Sequence, residues 1–331
     1  MALCRLSNIH MAEAKKSLKM VPCGGCGSKN FIPSDLPKFQ TIPCNKCGHP
    51  VMMAVRLRHF ELREFIAAGG MGSVYRAYDT VLQRLVAVKL MKKDLAEDPA
   101  SMEAFYREAR AAAGLNHTNI VHIYAFDEVD EQQFLVMELA DAGSLDNRIE
   151  KEGRVDELYV LDVGIKMASA LDCALKKKLL HLDLKPANIL FNTDGEPKLV
   201  DFGLAQRIDV EKEKDSALFG TPYYIAPERI SEQREDHRSD IYSLAGTLYH
   251  ALTGHVPFDA PDMNDVAMAH VSTPLTAPNL VVPEISKETN EAIVTAMAKA
   301  PDERYQSYDE FIMAMTAARS HLLVKRFRPN G

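Results

Sequence analysis

The stretch HLDLKPAN, residues 181–188, places Asp183, Lys185 and Asn188 within six positions. A carboxylate there can accept the proton of an attacking hydroxyl. Asn188 and Asp201, thirteen residues further on in LVDFGLA, form an oxygen pair suited to Mg2+. Taken singly, each of these is as readily a helix cap or a turn residue; their joint order argues for phosphoryl-transfer chemistry. Upstream, IAAGGMGSV sets Gly69, Gly70 and Gly72 where backbone N–H groups can approach phosphate oxygens, although a lone Gly-rich turn is a weak signal. Lys89 lies in the apolar strand LVAVKLM, where burying it is costly unless an anion meets it; the plain alternative is an edge lysine facing water. Glu108, in FYREARAAAG, sits on an expected helix that could bring a carboxylate to Lys89, but by itself it reads as a surface residue.

A second constellation lies near the N-terminus. Cys23, Cys26, Cys44 and Cys47 form two C-x2-C pairs with seventeen residues between them, the spacing of a zinc site. Two sulfurs so spaced can meet one tetrahedral ion, and four protein sulfurs make the metal structural and not catalytic. Gly27 and Gly48 follow the pairs, where tight knuckles need unhindered backbone. The alternative is two disulfides, which a reducing compartment and the small apolar content of the segment argue against. So short a segment is expected to need the metal to fold. Cys4 and Cys173 stand alone and read as free thiols.

The elements that must position these groups follow from texture. Residues 60–91 give short β-rich runs around the Gly-rich turn, PASMEAFYREARAAAGL reads as a helix, and NIVHIYAFDEVDEQQFLVMELA returns to strands. From about residue 144 the pattern is mostly helical. Residues 1–60 carry a net charge of +7 and the remainder −14, a basic module joined to an acidic one. No apolar run of about 18 residues predicts a membrane span, and the polar, basic N-terminus lacks a signal core. A cytoplasmic protein is the expectation.

The motif set, in order, resembles the protein kinase family over about residues 60–320. AAGGMGSV matches the Gly-rich loop, VAVK the strand lysine, HLDLKPAN the catalytic loop, DFG stands at 201–203 and APE at 226–228. DIYSLAGTLYHALTG resembles the family's central helix and PDERYQS its late arginine motif; the wording is most similar to the bacterial serine/threonine kinases. The resemblance implies an α+β, two-lobed protein kinase fold preceded by a small zinc ribbon. The expected organisation is a tail (1–20), the ribbon (21–55), the kinase domain (60–320) and a C-terminal tail (321–331).

It also implies roles. Lys89 would contact the α/β-phosphates and pair with Glu108, Asp183 accept the substrate proton, Lys185 steady the γ-phosphate, and Asn188 and Asp201 hold Mg2+. ATP would lie against Ile66, Ala67, Ala68, Gly69, Gly70, Met71, Gly72, Ser73 and Val74, with Val74, Ala87 and Leu190 around adenine. The backbone of Glu138 and Ala140 would bond the adenine edge behind Met137. His181 would stack on Phe202, and Glu228 would pair with Arg304. Lys185 and Thr221 resemble serine/threonine-specific kinases.

Two positions depart from the pattern. Ala67 replaces the first glycine, from which altered ATP affinity is expected. Leu182 stands where most members carry Arg, which in them meets a phosphorylated activation-loop residue; Leu cannot form that charge-assisted bond. Ser216 is the expected regulatory phosphosite of the segment. The function so implied is ATP- and Mg2+-dependent phosphorylation of Ser/Thr on proteins, including itself, with the structural Zn2+ ribbon as a recruitment or regulatory module. Protein contact for the ribbon, docking on the acidic remainder of this chain included, is placed ahead of nucleic acid, since Phe31 and Phe39 are its only aromatics for stacking. The alternative from another class is a pseudokinase scaffold, against which the complete Lys-Glu-Asp-Asn-Asp set argues.

Overall fold

The computed structural model describes residues 17–70, 72–92, 95, 98–202, 206–207 and 222–327, with the backbone alone at 104, 108, 206 and 207. The chain divides into two units, residues 1–90 and 91–331.

The first unit is made of strands. β1 (Leu18–Pro22) pairs antiparallel with β2 (Lys29–Pro33), and β3 (Thr41–Pro43) with β4 (Pro50–Met52). Each pair is closed by a cysteine knuckle. Gly27 N–H bonds Cys23 O at 2.8 Å and Gly48 N–H bonds Cys44 O at 2.9 Å, and the two glycines take φ of 70° and 76°. That left-handed backbone is what glycine allows and other residues resist, which accounts for both glycines. β5 (Val55–Leu57), β6 (Phe60–Ala68), β7 (Gly72–Asp79) and β8 (Arg84–Met91) are then hydrogen-bonded in chain order. On β8, Val86, Ala87 and Val88 are all buried, so the strand is covered on both faces. The cysteine module and the sheet belong to the same unit.

The second unit is mainly helical. α1 (Pro99–Ala113) starts as its sequence dictates: Asp98 accepts from Ser101 N–H at 2.9 Å, and Pro99 fills the first turn, where its missing N–H costs nothing. β9 (Ile123–Val129) and β10 (Gln132–Met137) form a hairpin. α2 (Leu145–Glu152) opens with a reciprocal cap between Ser144 and Asn147, and α3 (Glu157–Lys176) with Asp156. β11 (Leu179–Leu180), β12 (Ile189–Phe191), β13 (Pro197–Leu199) and β14 (Gln206–Arg207) make two short pairs, β11 with β14 and β12 with β13. After the short α4 (Pro227–Ile230) comes α5 (His237–Thr253), buried on all its faces from Ser239 to Tyr249. α6 (Met263–Ser272), α7 (Pro278–Val281), α8 (Lys287–Ala296) and α9 (Tyr308–Phe327) complete the unit.

α3, α5 and α9 share one core. Gly164 sets their approach: a Cβ there would stand 2.7 Å from both Leu248 on α5 and Met315 on α9. Closing that gap buries apolar side chains worth about 1.5–3 kcal/mol each. Among the described residues, no helix is long and apolar enough to cross a membrane.

Candidate active site

The turn of residues 181–188 lies between β11 and β12 and is fixed from below by the first turn of α5. Asp240 is 1% exposed, and its carboxylate accepts from His181 N–H and Leu182 N–H, both at 2.8 Å. Burial raises the Asp240 carboxyl above the ordinary carboxylate range, while His181 and the two N–H groups oppose that shift. His181 is fully buried; its Nε2 meets Val200 O at 3.0 Å, its Nδ1 accepts from Asp183 N–H at 3.3 Å, and its ring lies 4.8 Å from Phe202. The proton on Nε2 is the tautomer these partners require.

Within the turn the chemical groups converge. Lys185 Nζ lies 2.8 Å from Asp183 Oδ2. Asn188 Nδ2 donates to Asp183 O at 2.8 Å and to Oδ2 at 3.0 Å. These donors occupy one carboxylate oxygen and leave Oδ1 uncommitted to them. Asn188 O accepts from Val200 N–H at 3.1 Å, which ties the turn to the backbone just before Asp201. Asp201 is exposed and holds φ at 70°, a left-handed conformation costing a non-glycine residue about 1–2 kcal/mol. Strain of this kind persists where the surroundings over-determine it.

Leu182 is 7% exposed and also left-handed, at φ 61°. Its peptide is gripped at both ends: Asp240 takes its N–H, and Arg229 of α4 donates through Nη1 to its carbonyl. Arg229 is in turn 3.8 Å from the buried Glu235. A cavity of about 140 Å3 opens beside Asp183 and Lys185, walled by Tyr224, Ile225, Arg229 and Met263.

At the end of β10, Glu138 N–H is bound to His122 O at 2.9 Å. Its side chain makes an ion pair with Lys198 and bonds His122 Nδ1 at 2.9 Å. Burial pushes the Glu138 carboxyl up, and Lys198 and His122 more than offset it, holding it below the ordinary range. Leu190 stands opposite Lys198 across β12 and β13.

In the first unit, the β6–β7 hairpin carries the Gly-rich turn. Ala67 pairs with Val74 and Ala68 with Ser73, and Gly69 N–H closes the turn on Gly72 O at 2.8 Å. Ile66 is 40% exposed. Around Gly70 no atom lies within 4 Å of where a Cβ would be, and neither Gly69 nor Gly70 has positive φ. Lys89 is half-buried between Val88 and Leu90. Met71, Gly203, Ser216 and Thr221 lie outside the described residues, as does the side chain of Glu108.

The four cysteine sulfurs lie within 4.8 Å of one another. Cys23 and Cys47 are 3.6 Å apart and Cys26 and Cys44 3.8 Å, far beyond a disulfide bond of about 2.05 Å. Bonds from Ser28 and the Lys46 N–H lower the Cys44 thiol to about 5. The His49 N–H pulls Cys47 down, but the neighbouring sulfurs push it up to about 12. Four sulfurs gathered this closely, none of them in a disulfide, form a donor set that fits a divalent cation such as Zn2+.

Asp240 and Arg229 were not singled out from the sequence. For Asp240 a signal exists, a carboxylate inside the apolar run DIYSLAGTLY that must find buried partners. Arg229 has none, because its contact with Leu182 spans 47 positions.

The sequence pattern of the family described as "Protein kinase domain" matches residues 60–318. Serine/threonine-protein kinase PknH of Mycobacterium tuberculosis is 37% identical over 262 residues, which is 79% of this chain and 42% of that protein. Serine/threonine-protein kinase PknE of the same organism is 37% identical over 260 residues, 78% of this chain and 46% of that protein. A probable serine/threonine-protein kinase of Streptomyces coelicolor, SCO3848, is 36% identical over 258 residues, 76% of this chain and 38% of that protein. The chain spans less than half the length of these curated relatives.

Proposed function

The chain belongs to the protein kinase family, and from that premise we propose that it transfers the γ-phosphoryl group of ATP to Ser and Thr hydroxyls of proteins, itself among them. The observation that carries this is the convergence of Lys185 and Asn188 on Asp183 Oδ2. It leaves Oδ1 to take the proton of the attacking hydroxyl. Lys185 then stands beside the γ-phosphate, and the 140 Å3 cavity receives a substrate side chain next to the phosphorylated one. Asn188 and Asp201 supply the oxygens that hold Mg2+, which when bound neutralises phosphate charge. Neither crowding nor φ accounts for glycine at 69 and 70, whereas close approach of backbone N–H groups to phosphate does. The backbone of Glu138 and Ala140 bonds the adenine edge, with Leu190 of the same unit against the ring. Incubation of the purified chain with labelled ATP, Mg2+ and a lysate, read by phosphosite mass spectrometry, tests this. Nucleotide binding with no label transferred would instead favour the pseudokinase scaffold.

The ribbon holds one Zn2+ on Cys23, Cys26, Cys44 and Cys47, contacts a protein partner, and suits a cytoplasmic setting that keeps thiols reduced. Elemental analysis should return one zinc per chain, and chelation should unfold the ribbon while the helical unit, with its own core, still melts cooperatively. Absence of zinc with two disulfides by mass spectrometry would defeat that assignment.

Regulation follows from Leu182. A phosphate on Ser216 finds no cation at position 182, and the Leu182 peptide is already gripped by Asp240 and Arg229. Phosphorylation therefore gains little differential energy between loop states. Phosphate-free wild type and Ser216→Ala should show equal initial rates. A many-fold loss in the variant, or a lag removed by prior autophosphorylation, would show that another cation serves that phosphate.

A further inference from the structure

The cysteine ribbon is seated on the two strands that carry the Gly-rich turn. Gly24, inside the first knuckle, lies against Glu64 of β6, where a Cβ would stand 1.9 Å from Glu64 Oε1. His49, just past the second knuckle, reaches the same oxygen through Nε2 at 2.9 Å. Arg76, opposite Glu64 on β7, lies 3.8 Å from Oε2. One carboxylate of the hairpin is thus bonded by His49, paired with Arg76 and packed against Gly24.

A separate anchor comes from the loop between β2 and β3. Phe39, at φ 68°, puts its ring 5.9 Å from that of Tyr75, which meets Phe65 edge-on at 5.7 Å. Phe65 and Tyr75 are register partners on β6 and β7, and Tyr75 is 4% exposed. The next rungs are Ala67 with Val74 and Ala68 with Ser73, after which the chain turns through Gly69 and Gly70.

These anchors fall where the hairpin is weakest. Its register shifts between Leu62 and Glu64 and again between Phe65 and Ala67. Such irregularities interrupt the ladder of backbone bonds and bend the strand, so side chains must hold what the ladder does not. A turn held in place before its ligand arrives loses less conformational freedom on binding, and the gain shows as affinity. We infer that the ribbon is a brace for the phosphate-binding hairpin, with Phe39 and the Gly24–His49–Glu64 contact as its positioning groups, so that zinc occupancy sets the affinity for ATP. This rests on the reading that the Gly-rich turn holds phosphates and the four cysteines hold zinc.

The test uses the full chain as wild type, Phe39→Ala and Gly24→Ala, measuring zinc content, binding of a non-hydrolysable ATP analogue, initial rates and hydrogen exchange. Both variants should keep their zinc and their rate at saturating ATP. The KM for ATP and Kd for the analogue should rise about three- to tenfold in Phe39→Ala, the range set by losing one aromatic contact, and rise in Gly24→Ala as well. Amides of residues 64–76 should exchange faster in both variants. Wild type stripped of zinc, which loses both anchors, should show at least as large a rise in Kd and the same faster exchange, an arm that needs no substitution to fold. If the zinc-loaded variants and the stripped wild type bind the analogue and exchange as the loaded wild type does, the brace is overturned alone. A wild type that binds neither zinc nor nucleotide overturns the underlying reading and the brace with it.

Discussion

Asp183→Asn is expected to lower kcat by about 10²–10⁴-fold, the contribution of a positioned general base, while nucleotide binding stays close to wild type. The geometry says why an isosteric change should be so costly. Lys185 and the Asn188 amide both donate toward Oδ2. In the variant the amide oxygen must keep that place, because an NH2 group would face two donors. The NH2 therefore lands at the Oδ1 position, a donor where the substrate hydroxyl needs an acceptor. Phosphate and metal contacts are untouched, so binding of an ATP analogue should hold. Asp201→Asn should behave differently, weakening Mg2+-ATP binding together with turnover, since on the proposed reading it takes the charge and one carboxylate oxygen from a metal-binding group. Quench-flow or steady-state label transfer, set beside a binding titration, separates the two. Equal turnover by Asp183→Asn and wild type would end the assignment of Asp183 as the proton acceptor.

What the sequence disclosed and what it hid divide along contact range. The cysteine spacing, the knuckle glycines and the β-rich then helical order are local patterns, and the structure follows them. So are the residues of the 181–188 turn, whose mutual bonds span no more than five positions. Asp240 was hidden because its bonds to His181 and Leu182 cross 59 and 58 positions. Leu182 read as a missing cation; its left-handed backbone and the Arg229 grip on its carbonyl depend on α4 lying beside the turn. The opposite charge of the ribbon suggested docking on the acidic remainder of the chain without naming a single contact. Gly24 against Glu64 and Phe39 against Tyr75 show that the ribbon and the sheet are packed together within one unit. Gly24 is a case where the residue type was visible and its reason was not, since the steric demand comes from a side chain forty positions away.

The second large effect is on stability. Arg304 Nη1 and Nη2 meet Glu228 Oε1 and Oε2 at 2.8 and 2.7 Å, with side-chain exposures of 0% and 3%. Ser239 adds a hydroxyl to Oε1 at 2.5 Å, and the remaining guanidinium protons go to the carbonyls of Ala298, Lys299 and Arg238. Neither ion has water to fall back on, so removing one partner strands the other. Arg304→Met should cost about 3–5 kcal/mol, a fall of about 6–20 °C in Tm for a unit of this size. Glu228→Gln should cost less, because the amide still meets Ser239 and one guanidinium edge. The double variant should be more stable than the sum of the singles predicts, since the pair leaves together. The pH dependence carries its own sign. Burial pushes the Glu228 carboxyl up, but Arg304 and Ser239 more than offset it, so its folded value lies below the ordinary 4.5. Its contribution is therefore complete above the ordinary carboxylate range and is lost as pH falls through the lowered folded value. Thermal melts followed by circular dichroism at pH 7 and in acid read both effects. Arg304→Met melting within about 1 kcal/mol of wild type, the worth of an exposed pair, would show that the buried pair is not what holds α4 to the start of α5 and to the segment before α9.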